Sequence, residues 1–150
     1  MAVTQHYILF MVRAWFALTV IVCGDDAAAQ CLRGNCHEGK GHYRYPNGSD
    51  YQGQFSGGLK HGRGTNRFVN GDIYSGQYQR GEMTGSGFYE YVNGDRYNGD
   101  FLNGEMHGQG VYQFVDGDRY AGQYQHDLRH GKGEYSFANG DRYLGEFAFD

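Results

Sequence analysis

Aliphatic side chains are scarce over most of this 150-residue chain. After Ala29 there is a single isoleucine, Ile73, with a handful of leucines and valines, so a conventional aliphatic core is not available. No stretch spaces its apolar residues as a helix does. The run from Tyr7 to Val22 falls short of the roughly 20 apolar residues a membrane span needs, and Arg13 interrupts it. No serine, cysteine or lysine is set with a base and an orienting acid, which leaves nucleophilic catalysis without a foundation. A basic excess is missing too. The net charge is −4, which gives no reason to expect nucleic acid as a partner.

The first residues do have an order of their own. Positive charge is confined to Arg13, Ala14 to Val22 is a short apolar core, and Ala27-Ala28-Ala29 supplies small residues before Gln30. That order predicts a signal peptide over 1–29 cleaved after Ala29, and hence an exported, periplasmic or extracellular protein. Cleavage would remove Cys23 and leave Cys31 and Cys36, an even pair that predicts a disulfide closing a loop over 30–38. It would also leave 12 basic and 15 acidic residues, a net of −3, so attraction to an anionic lipid surface is expected to be weak or absent.

What fills the chain instead is a block of 23 residues, repeated. Tyr51, Tyr74, Tyr97, Tyr120 and Tyr143 stand at that interval. Gly53, Gly76, Gly99, Gly122 and Gly145 follow two residues later, and Phe55, Tyr78, Phe101, Tyr124 and Phe147 two further on. A second glycine pair closes each full copy, as at Gly108 and Gly110. A fixed period of this kind marks one supersecondary unit stacked on copies of itself. Within each copy, tyrosine, glycine and phenylalanine alternate at period two between Asn/Gly turns, the pattern of two short strands. The expected fold is all-β: an antiparallel meander of about ten strands over 39–150.

Turn chemistry sets the register. A two-residue loop at Asp116-Gly117 would put the aromatics of neighbouring strands on opposite faces. A three-residue loop with a glycine bulge pairs Phe114 with Asp118, Tyr112 with Tyr120, Gly110 with Gly122 and Gly108 with Tyr124. Every ring then lies on one face, over the bare backbone of cross-strand glycines, and Gln52, Gln54, Ser75, Gln77, Asn98, Asp100, Ala121 and Gln123 face solvent on the other. Pro46-Asn47-Gly48 suits the same loop. The bulged register is therefore expected.

Tyr97, Gly99, Phe101, Gly104, His107, Gly108 and Gly110 together resemble the MORN repeat (membrane occupation and recognition nexus), whose pattern is Y-x-G-x-[FY], a loop glycine, then H-G-x-G. The resemblance covers about residues 39 to 150, with Thr84, Asp127 and Asn66 as departures. It implies an elongated, curved, single-layer sheet that acts as an interaction or membrane-associating module, in an exported bacterial member of the family.

The histidines His61, His107 and His130 recur in phase, but equivalent residues sit two strands, about 9.6 Å, apart, too far to share a metal ion. Asp72, Asp95, Asp118 and Asp141 read as turn acceptors. Arg96, Arg119 and Arg142 form a row that Glu90, opposite Arg96, partly neutralises. No cofactor, metal or catalytic residue is expected. The functional expectation is a non-enzymatic scaffold for a protein partner or for self-association, with a homodimer through the C-terminal strand. Its binding residues would lie on the aromatic face: Tyr74, Tyr78, Tyr97, Phe101, Tyr112, Tyr120, Tyr124, Tyr143 and Phe147. An anionic-lipid module and a glycan platform are the rival readings.

Overall fold

The computed structural model describes residues 29–148; the expected leader, apart from Ala29, lies outside them, as do Phe149 and Asp150. Eleven strands occur among the described residues: β1 (Gln30–Gly34), β2 (Gly39–Arg44), β3 (Asp50–Ser56), β4 (Leu59–Arg67), β5 (Ile73–Gln79), β6 (Glu82–Glu90), β7 (Arg96–Leu102), β8 (Glu105–Gln113), β9 (Arg119–Gln125), β10 (Leu128–Ser136) and β11 (Arg142–Ala148). They form one open antiparallel sheet in chain order. The count exceeds the expected ten by β1, which lies in the segment read from sequence as a loop. Cys31 and Cys36 are bonded, with their Cα atoms 5.9 Å apart, so the disulfide staples β1 onto the turn that follows it.

The two edges of the sheet are built from different turns. On one, Phe114 N–H donates to Asp118 O and Gly117 N–H to Phe114 O, and Tyr112 then pairs with Tyr120 and Gly110 with Gly122. This is the bulged register, and it repeats at Phe68, Tyr91 and Phe137. On the other edge the loops are two residues long, such as Arg80-Gly81 and Asn103-Gly104, with positive φ at both positions. That is the type I′ turn, whose twist matches the flanking strands. Its second N–H reaches back across the repeat boundary: Gly81 N donates to Lys60 O and Gly104 N to Met83 O.

The core is a ladder of rings. Tyr51, Tyr74, Tyr97 and Tyr120 are fully buried. Each lies over two cross-strand glycines: a Cβ built on Gly99 would stand 2.5 Å from Tyr97 Oη and 2.6 Å from Gly110 Cα. Each ring also meets the edge of two others, one from its own copy and one from the next. Tyr97 packs on Phe101 and Tyr124 with centroids 5.2 and 5.1 Å apart and near-perpendicular planes. Edge-to-face pairs of this kind are worth about 0.5–1.5 kcal/mol each beyond their buried area. Glycine weakens a strand on its own, but here it leaves the space that the ring fills. The tyrosine hydroxyl donates to the backbone carbonyl of the residue that follows the glycine, as Tyr97 Oη does to Asp100 O at 3.0 Å.

Candidate functional site

Of the nine rings expected to form a binding surface, seven are spent on the ladder. Tyr74, Tyr78, Tyr97, Phe101, Tyr120, Tyr124 and Phe147 are at most 9% exposed. Tyr112 is half-buried, and Tyr143 is 48% exposed. Beside the ladder, nearer the bulged loops, runs an outer row that includes Phe68, Tyr89, Tyr91, Tyr112, Phe114, Tyr135 and Phe137. These rings also contact one another in sequence, from Phe68 against Tyr89 to Tyr135 against Phe137. Apart from Tyr143 in the last copy, ring surface reaches solvent along this row rather than on the ladder.

The opposite face offers a different shape. There the glycines of the ladder leave a floor of bare backbone flanked by side chains on both sides. Three depressions lie along it, with volumes of about 360 Å³ near β1–β4, 360 Å³ over β4–β6 and 820 Å³ over β7–β11. The largest has Gly110, Gly122, Gly133 and Gly145 in its floor, with Val111 and Ala121 beside them. Together they make a trough across the strands. The glycine period was legible in the sequence, where it places the rings. The signal for the trough was the same period, read from the other face.

One wall of the trough is held by a second bulge that sequence reasoning did not find. Gly62, Gly85, Gly108 and Gly131 adopt positive φ, and the ladder slips there by two residues. The residue after the glycine loses its ladder partner on the preceding strand, while it stays paired to the following one. A side chain from the adjacent strand takes its N–H: Gln54 Oε1 accepts from Arg63, Asp100 Oδ2 from Gln109 and Gln123 Oε1 from Lys132. These side chains, read from sequence as merely solvated, fix the trough wall.

The aspartates of the bulged loops do more than stabilise their own turns. Asp72 Oδ1 accepts from Val92 N at 2.8 Å, and Oδ2 accepts from the Tyr89 hydroxyl at 2.8 Å, both in the next copy. Asp95 does the same with Val115 and Tyr112, and Asp118 with Ala138 and Tyr135. Burial of Asp72 opposes its ionisation, but Val92 N–H, the Tyr89 hydroxyl and the Asn70 amide outweigh it and hold the carboxyl below its ordinary value. Asp95 is lowered by the same balance. Each aspartate is thus a staple between repeats.

The first copy departs from this scheme at three positions together. Ser49 stands where the others have aspartate, Asn66 where they have tyrosine, and Lys60 where Met83, Met106 and Arg129 stand. Lys60 Nζ donates to Asn66 Oδ1 at 2.7 Å and lies 5.0–5.5 Å from the ring centroids of Tyr45, Tyr51 and Tyr78. Burial lowers its pKa, against the opposing pull of Glu82. The ammonium and its aromatic surround replace the missing tyrosine. The polar-face arginine row is paired at two of its members: Arg96 with Glu90 at 3.3 Å and Arg142 with Glu134 at 3.6 Å.

Comparison with known proteins gives a consistent picture. The family model for the MORN repeat matches five segments, residues 37–50, 51–73, 74–96, 97–119 and 120–142. No curated protein matches the chain. Among solved structures, it is similar to the TCP domain of Drosophila melanogaster SAS-4 in complex with a proline-rich motif of Ana2, at 17% identity and a TM-score of 0.52, covering 77% of this chain and 63% of that one. It is also matched by the Danio rerio CPAP TCP10 domain in complex with a STIL peptide, at 14% identity and a TM-score of 0.31, covering 78% and 57%. The chain therefore spans less than two thirds of both. The first likeness is one of fold.

Proposed function

The chain belongs to the MORN repeat family, and on that premise we propose that it is a non-enzymatic, exported scaffold whose trough holds an extended segment of a partner protein. The trough carries this reading. Its glycine floor lets a peptide backbone approach the sheet closely, and its length across the strands suits an extended chain rather than a compact small molecule. The fold it shares with a domain solved around a proline-rich motif supports a peptide as the class of ligand. The Cys31–Cys36 bond supports an oxidising compartment. The half-buried outer ring row on the other face supports at most a secondary contact.

A selection of random displayed peptides on the purified protein tests the reading. Recovered peptides are expected to lose binding to an Ala121→Arg variant, which lays a long side chain across the trough. They should keep it on Phe137→Ser, a change on the aromatic face. Peptides indifferent to Ala121→Arg would remove the trough as the binding site.

A further inference from the structure

The trough changes chemistry along its length. Strands β1 to β5 contain one carboxylate, Asp50, against six cations: Arg33, Lys40, Arg44, Lys60, Arg63 and Arg67. Strands β6 to β11 contain six carboxylates against five cations, close to neutrality. Lys60 points into the aromatic side, but the other five cations of the first group belong to the trough face. Arg33, Lys40 and Arg63 line the depression near β1–β4, with His42 and Gln52. Among the described residues no carboxylate lies within ion-pair distance of any of the three. Asp50 is engaged elsewhere: it sits 3.4 Å from His42 Nε2 and directly across from Arg44 and Arg67 on the flanking strands.

The other end is apolar. The cross-strand row Phe88, Asn98, Val111, Ala121, Glu134 and Leu144 runs along one wall. Leu144 is 80% exposed and Phe88 37%. Leu144 lines one depression of about 820 Å³ together with the half-buried Val111 and Ala121. The acids around it, Glu90, Asp100, Glu134 and Glu146, share that face with Arg96, Arg119, Lys132 and Arg142, so this end carries no net charge.

We infer that the trough takes an extended peptide segment that is acidic at one end and apolar at the other, with its acids over Arg33, Lys40 and Arg63 and its apolar side chains over Val111, Ala121 and Leu144. This rests on the trough reading above and assigns it a ligand class and a direction. Uncompensated cations at one end attract carboxylates and penalise a basic segment, while the apolar end gives a hydrophobic anchor. The spacing is set by the sheet. The basic end centres on β3 and the apolar end on β9, six strand spacings away, roughly 29 Å, which an extended chain covers in about nine residues. An anionic membrane fits less well, because only the basic end would attract it, while over the other end the acids balance the cations.

Fluorescence anisotropy with synthetic probes of about 14 extended residues tests the inference. One probe carries four acidic residues, a Gly/Ser spacer and a Leu-Val-Phe end; a second has the opposite chain order; a third has lysines in place of the acids. One of the two acidic–apolar orders is expected to bind about tenfold tighter than the lysine probe at low salt. A Lys40→Glu/Arg63→Glu double variant should reverse that preference. Val111→Ser, which adds no charge, should weaken the acidic–apolar probe about tenfold and leave its salt dependence unchanged. Equal binding of acidic and basic probes, or a charge-reversed variant that behaves as wild type, would overturn the inference. If library-selected peptides still lose binding on Ala121→Arg in that case, the trough remains the site and only its polarity is wrong. If they do not, both readings fail. Binding of phosphatidylglycerol vesicles that depends on Arg63 and displaces the probe would assign the basic end to lipid, and would equally overturn it.

Discussion

At the scale of single residues, the tyrosine-over-glycine contact decides what each position tolerates. Any Cβ at Gly99 meets both the Tyr97 ring and the Gly110 backbone, so Gly99→Val must expel the ring or bend the strand. Overpacking of this sort is expected to cost about 2–3 kcal/mol. Gln109→Val, ten residues on but facing solvent, should stay within about 0.5 kcal/mol. Urea midpoints check the pair, and similar shifts for both would contradict the face assignment. A gain is expected nearby. Tyr78 is buried, and its hydroxyl has no hydrogen-bond partner among the described residues. Equivalent positions in the other copies are Phe55, Phe101, Tyr124 and Phe147, a phenylalanine at three of the four. Tyr78→Phe should therefore stabilise the protein by about 1 kcal/mol, because a buried hydroxyl left unpaired costs that much or more; a lower urea midpoint would show that the hydroxyl is satisfied. The ring faces and the glycine partners were legible in the sequence because period-two alternation fixes a face. Which rings remain exposed was not. That depends on how each tyrosine folds down along its own strand, a rotamer that periodicity does not encode.

At the scale of the hairpin, the two edges differ in how far the sequence announces them. The Asn-Gly and Asp-Gly loops were legible, because only the bulged register keeps the aromatics together, and the structure has that register. The slip at Gly108 was not legible. A glycine two residues before another reads as regular alternation, and only the positive φ shows that one of them turns the chain. The aspartate staples were half legible. Their turn role follows from position, but their reach to a tyrosine 17 residues on requires the stacked repeat. The staples make a prediction about acid. Asp72 and Asp95 titrate below their ordinary value in the fold, so their contribution is fully present above the unfolded value of about 4 and disappears as pH falls through the folded one. An Asp72→Asn/Asp95→Asn variant should be less stable than wild type at neutral pH, with the gap closing progressively as pH falls below about 4. Urea midpoints across that range measure it. A gap that stays constant would mean that the carboxylate charge contributes nothing at these sites.

At the scale of the whole molecule, each copy touches only its neighbours, and the ring ladder is the one feature that runs unbroken from Tyr51 to Phe147. The repeat architecture was legible from the 23-residue period alone. The division of the trough into a basic and an apolar end was not, because it appears only when charges are sorted by face. In a ladder built from tyrosine, stability must also depend on alkaline pH. Burial pushes Tyr51 and Tyr74 up to about 12, and it raises Tyr78, Tyr97, Tyr120 and Tyr124 as well. These phenols are neutral in the fold, while in the unfolded chain they ionise near pH 10. Groups raised in this way contribute fully below the unfolded value and lose that contribution as pH rises toward the folded one. Because several of them titrate together on unfolding, the loss of stability with pH should be steep rather than gradual. Phenolate absorbance and far-ultraviolet circular dichroism, followed above about pH 10, should therefore change together. Most of the 14 tyrosines should ionise only as the sheet signal collapses. Gradual ionisation with the sheet intact would show that solvent reaches the rings, and that the ladder is not the continuous core of the molecule.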